Sequence, residues 1–305
     1  ATFDTAAGGA FTTVSGGTTT VGTSGNGVGT SGMVLTGVAG DLSFTDLDIF
    51  NDNGTGLRAT SSGAFNAGTG TGFRLAVGSG VGTVSSVGGP VIDFDSATID
   101  LQSATITGSG SATQGLRFNS ARGTFSTNNG SSLSTSNAAA TAFLSNGSAI
   151  SSTFAGPITV TAGKGVELTS NAGSTFSFRG GLAFNTGANA AFLATGGGTI
   201  EVCDENPCNA GATGALVNTL TTTTATALNV TNTAISVNNL EFRSINAGTG
   251  VGSAGAGIVL DGTGASGGLV VKGTGAAGSG GTIQHKTGAD EPAGATAGVY
   301  DPFGY

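Results

Sequence analysis

GLRFNSARGTFST begins at Gly115, AFLSNGSAISSTF at Ala142, GVELTSNAGSTFSF at Gly165 and AFLATGG at Ala191. Each start is a small residue followed by an apolar one. A second, usually apolar residue sits two places on, then a Ser/Asn/Gly corner, then more alternating residues. The intervals between starts, 27, 23 and 26 residues, match one turn of a stacked coil, the signature of a repeat architecture. Working outward, the same start appears at Gly32, Gly56, Gly72, Pro90, Ala227 and Gly257. The spacings on either side of Gly72 are too short for a full turn, so GFRLAV is expected to be a second strand of the turn begun at Gly56.

Alternation sends every second side chain to one face. The first inward column is then Met33, Leu57, Phe73, Ile92, Leu116, Phe143, Val166, Phe192, Leu228 and Ile258. The second is Leu35, Ala59, Leu75, Phe94, Phe118, Ser145, Leu168, Ala194, Val230 and Leu260, with Ser145 its one polar member. A large buried side chain is worth about 1.5–3 kcal/mol, too little for one turn to offset the ordering of its own backbone. Stacking is therefore compulsory.

Composition agrees with a tightly turning all-β coil. Glycine fills 58 of 305 positions, only 9% of residues are charged, and 37% are hydrophobic. Gly-rich disorder requires low hydrophobicity and high net charge, whereas glycine in an ordered coil supplies corner conformations. No window carries a helical stripe. A net charge of −8 with scattered basic residues argues against nucleic acid or an anionic membrane as partner. No apolar run reaches the length of a membrane span. The expected organisation is a single elongated domain over 1–305. Residues 1–31 form an N-terminal edge coil, 32–283 the repeat body with a protruding loop near 203–215, and 284–305 a tail or cap. The start at Ala1 rather than Met suits a processed or excised segment.

Cys203 and Cys208 enclose Asp-Glu-Asn-Pro. Two cysteines cannot make a four-ligand zinc site, and His285 lies far along the chain. A small loop disulfide is expected, in keeping with an oxidising setting; a pair of reduced, inert thiols is the plainer alternative. No metal or cofactor is expected.

The run LVNTLTTTTATALNVTNTAISVNNLEFRSINAG, followed by GIVLDGTGASGGLVVKGTGAAGSGGTIQHKTGAD, resembles large bacterial β-strand-repeat surface proteins and the exported passengers of adhesins. The resemblance covers residues 33–290 and is strongest over 191–290, cysteine loop included. It implies a right-handed parallel β-helix and a cell-surface or extracellular setting, and brings no catalytic motif. Such sequences run on into further Asn/Thr-rich strands, whereas this one ends at Tyr305. The reading is an all-β, right-handed parallel β-helix of roughly 9–11 turns. Its role is that of a stalk, adhesive segment or assembly subunit. Partners are expected at the coil ends, either another protein or further copies of the chain, and among surface glycans.

Parallel β-helices also house polysaccharide lyases and hydrolases, so the carboxylates need weighing. Asp46, Asp48 and Asp52 form one cluster, and Asp93, Asp95 and Asp100 another. Alternation puts Asp93 and Asp95 on one outward face. Such a pair can hold a cation or divide general acid and base roles. The enzyme alternative uses Asp93, Asp95 and Arg117; the bland reading is solvated charge. Arg58, Arg74, Asp93 and Arg117 each follow a first-column residue, so Asp93 should meet Arg74 or Arg117. A Ser/His/Asp triad has only His285 to draw on. Thr runs at 18–21, 105–108, 159–163 and 219–224 raise an ice-binding face, but they do not recur at one place in the repeat. Residues 1–31 are Thr/Val/Gly-rich with a single charge, Asp4, a poor cap for an open coil end. The N-terminal end is therefore expected to be covered by preceding sequence, a partner protein or another copy of the chain.

Overall fold

The computed structural model describes residues 2–3, 12–37, 41–60, 74–77, 82–210, 217–250 and 255–286. They form a helix-free parallel β-solenoid of about 8 turns. In the middle of the coil each turn supplies three strands, such as Gln114–Asn119, Arg122–Thr127 and Ser132–Thr135. The first joins a ten-stranded sheet and the other two a sixteen-stranded sheet that wraps the remaining sides.

Register in the ten-stranded sheet follows the repeat starts. Met33 pairs with Leu57, Leu57 with Ile92, Ile92 with Leu116 and Leu116 with Phe143. The series continues through Val166, Phe192 and Leu228 to Ile258. All of these point inward and are buried, as are Leu35, Ala59, Phe94, Phe118, Leu168, Ala194 and Val230. Leu260, on the last strand of the sheet, is half-buried against the core. The side chains of Phe73 and Leu75 lie outside those described.

The described residues make about 8 turns, against the roughly 9–11 expected. Arg74–Val77, within GFRLAV, pairs with Asp41–Gly54 and Thr98–Ser109 in the other sheet. It is the second strand of the turn begun at Gly56.

Phenylalanines bind neighbouring turns together. Phe118 stacks on Phe94 at 6.1 Å and meets Phe143 edge-on at 5.7 Å. Phe143 meets Phe178 at 5.1 Å, and Phe178 meets Phe192 at 5.8 Å. Edge-to-face pairs at such distances gain beyond the area they bury. Ser145, the polar member of the second column, is fully buried. Its hydroxyl donates to Asn171 Oδ1 at 2.9 Å, and Asn171 Nδ2 donates back to the Ser145 carbonyl at 3.0 Å. Asn171 Oδ1 also accepts the Ser148 N–H at 3.0 Å, so a corner side chain of one turn completes the hydrogen bonding of another.

One residue bends the chain from the first sheet into the second. Ser96, Ser120, Gly147, Ser170, Gly196, Asn232 and Gly262 occupy this corner with φ between 49° and 81°. The N–H groups of the first six still bond the next turn, as Ser120 N does to the Asn146 carbonyl at 2.8 Å. Gly, Asn and small polar residues tolerate this left-handed conformation better than bulky ones, which explains the Ser/Asn/Gly corner of the repeat.

Candidate functional site on the outer face

The outward positions of the ten-stranded sheet form two columns. The first stacks Arg58, Asp93, Arg117, Leu144 and Glu167; the second stacks Thr60, Asp95, Asn119, Asn146 and Thr169. Period-two alternation brings these residues together, since each follows an inward residue of known register. Arg117 is the hub. Its Nε donates to Asp93 Oδ1 and its Nη2 to Asp95 Oδ2, both at 2.7 Å. Arg58 Nε approaches the other oxygen of Asp93 at 3.5 Å.

From Asp95 the network runs along the second column. Asn119 Nδ2 donates to Asp95 Oδ1 at 3.0 Å, Asn146 Nδ2 to Asn119 Oδ1 at 3.3 Å, and the Thr169 hydroxyl to Asn146 Oδ1 at 2.8 Å. The Ser96 hydroxyl adds a donor to Asp95 at 3.1 Å. The three candidate residues of the enzyme alternative thus meet. They meet as one guanidinium bridging two carboxylates, with charge-assisted hydrogen bonds filling the fork. Arg74 lies on a strand of the other sheet, and its side chain is outside those described; Arg117 alone meets that expectation.

The remaining candidates do not join this face. Asp46 accepts the Thr18 hydroxyl at 2.6 Å, and Asp52 accepts the Gly27 N–H at 2.8 Å. Asp100 accepts Gln102 Nε2 at 2.6 Å. His285 Nδ1 lies 2.9 Å from the Gly248 carbonyl. The Thr runs do not align, since the column through Thr159 and Thr219 also contains Ser134, Ala183 and Ser244.

Cys203 and Cys208 are joined by a disulfide. The loop they close leaves the coil after the strand Thr199–Val202, and the chain resumes at Thr219–Thr222. Asn218, fully buried, closes the resulting gap. Its Oδ1 accepts the Leu182 N–H at 2.8 Å, while its Nδ2 donates to the Cys203 and Glu241 carbonyls at 3.1 and 2.9 Å.

Beneath the loop lie polar groups absent from the sequence reading. Glu201 accepts hydrogen bonds from Ser177 at 2.5 Å, from Ser236 and Asn238 at 3.0 Å each, and from Arg179 at 3.3 Å. Burial alone would raise its carboxyl, but the hydroxyl and amide donors, with the charge of Arg179, hold it below the usual glutamate value. Arg179 also donates to Asn206 Oδ1 at 2.7 Å, tying the loop to the coil. Asp204, Glu205 and Glu241 gather nearby, one carboxylate oxygen from each lying within 4.8 Å of the others. Burial pushes the Asp204 carboxyl up to about 6, reinforced by the hydrogen bond and charge of Glu205 and by the charge of Glu241. One signal was available: EVCDE places three acids around a disulfide cysteine. The missing piece, Glu241, enters only through the register that stacks Val202 on Leu240. Comparison with protein-family models, curated proteins and solved structures finds no match to this chain.

Proposed function

We propose that this chain is a non-enzymatic structural and adhesive segment of an exported bacterial surface protein, built as a stiff stalk. The observation that carries this reading is the double ion pair of Arg117 with Asp93 and Asp95. A general acid and base must be free to exchange protons with a substrate, whereas these carboxylates are engaged by one guanidinium and by Asn119 and Ser96. The ladder joins successive turns from outside, as the phenylalanines do from inside. Such two-sided bonding favours rigidity along the coil. The loop disulfide accords with an oxidising, extracytoplasmic setting, and the repeats with surface-protein character. Among the described residues, Thr2–Phe3 and Ile258–Asp261 end the strand order of the ten-stranded sheet, and protein partners or further copies of the chain would add at such coil ends.

Incubation with polyuronates and neutral polysaccharides tests the non-enzymatic reading. Product release is followed by reducing ends and by the absorbance of unsaturated uronates. The expected result is no turnover above a heat-denatured control. Turnover that disappears in Asp93→Asn would overturn the reading.

A further inference from the structure

The carboxylates beneath the cysteine loop are arranged for a ligand the protein chain does not itself supply. Glu241 is 1% exposed, and its Oε1 has no hydrogen-bond donor. With the acids ionised, both oxygens of Asp204 and Oε2 of Glu205 are likewise buried without a donor, the Asp204–Glu205 hydrogen bond requiring a proton on one of the two. Unpaired buried carboxylate oxygens are costly. Lys272 Nζ reaches the other oxygen of Glu241, at 3.3 Å, and Glu205 Oε1 is occupied by the Asn209 N–H at 2.8 Å. Three acids therefore converge with at least four acceptor atoms unused. The disulfide and the Arg179–Asn206 bond hold the loop that carries two of them. The loop also borders an open cleft of about 350 Å³, lined in part by Asp204, Glu205, Asn206 and Arg179.

We propose that Asp204, Glu205 and Glu241 form a calcium site that locks the cysteine loop onto the coil. The donor set is all oxygen, since both sulfurs are consumed in the disulfide, which selects a hard cation over zinc or copper. Coordination habit decides among hard cations. Calcium accepts several carboxylates, mono- or bidentate, in a flexible shell, whereas magnesium demands near-ideal octahedral geometry and sheds its water reluctantly. Three converging carboxylates, with both Asp204 oxygens unused, suit calcium, with water from the cleft completing its shell. Two positive charges on the ion, added to that of Lys272, balance the three acids. This site is independent of the stalk reading, because a loop clamp serves an enzyme or a scaffold equally.

The test is isothermal titration of calcium chloride into the chelator-treated 305-residue chain, with thermal melting in parallel. One ion per chain and a rise in Tm are expected, with magnesium chloride giving weaker uptake. Asp204→Asn/Glu205→Gln, which alters only loop residues, should lose both the uptake and the Tm rise. Glu241→Gln should do the same, while the exposed control Asp261→Asn should keep both. No saturable calcium uptake, uptake unchanged in the double variant, or magnesium binding as tightly as calcium would each overturn the proposal.

Discussion

Arg117 reaches across one turn of the coil to Asp93, Nε to Oδ1 at 2.7 Å, with 27% of the arginine side chain and 15% of the aspartate side chain exposed. A partly covered fork of this kind belongs at the upper end of the surface-pair range of about 0–1 kcal/mol. A double-mutant cycle with Arg117→Ala and Asp93→Ala should give a coupling of about 1 kcal/mol. The coupling should shrink in high salt. Urea unfolding of the four proteins measures it.

Phe143 is fully buried and touches Phe118, Phe154, Phe176 and Phe178. Phe143→Ala should cost about 3–5 kcal/mol, the loss expected for a large aromatic removed from a packed core. Leu116→Asp, which buries a charge in the same core, should be at least as severe. Denaturant midpoints for both variants check the inward register directly.

Asn218→Leu should be destabilising although the new side chain is apolar and of similar size. It leaves the Leu182 N–H and the Cys203 and Glu241 carbonyls without the partners that Asn218 provides. A buried group left unsatisfied costs about 1–3 kcal/mol, so a loss of about 3 kcal/mol is expected for the set. Hydrogen exchange should report faster opening at Leu182 than at Ile158, whose N–H bonds the Gly181 carbonyl.

Acid should weaken the region around Glu201 in a defined direction. Its carboxyl is held below the usual value of 4.5, so the folded state binds fewer protons there than the unfolded chain. The stabilisation is complete above the unfolded value and is lost as pH falls through the folded one. Asp204, raised to about 6, acts with the opposite sign, its contribution being present at low pH and lost as pH rises through about 6. The informative quantity is therefore the difference between the wild-type protein and Glu201→Gln. That difference should narrow as pH falls below about 4.5, as read from melting temperatures at stepped pH.

Much of this architecture could be read from the sequence because the repeat start is local. A small residue, an apolar residue and a second one two places on fix which side chains point inward. Stacking then sets Leu116 under Phe143 without information from elsewhere. The same alternation put Asp93, Asp95 and Arg117 on one outward face. The polar cluster under the cysteine loop was not legible in this way. Glu241 meets Asp204 only after the chain has left the coil at Cys203 and returned near Asn218. The length of such an excursion does not reveal the register on re-entry. Ser145 was harder still, since a polar residue in an apolar column looks like an error until Asn171 supplies its partner.

The central claim is that the coil is a structural segment on the cell exterior, and antibody labelling of intact source cells tests it most directly. Antibodies raised against the 305-residue chain should stain unpermeabilised cells or their extracellular matrix. Brief treatment with external protease should remove that staining while a cytoplasmic marker remains protected. Staining that appears only after permeabilisation and resists external protease would contradict the account.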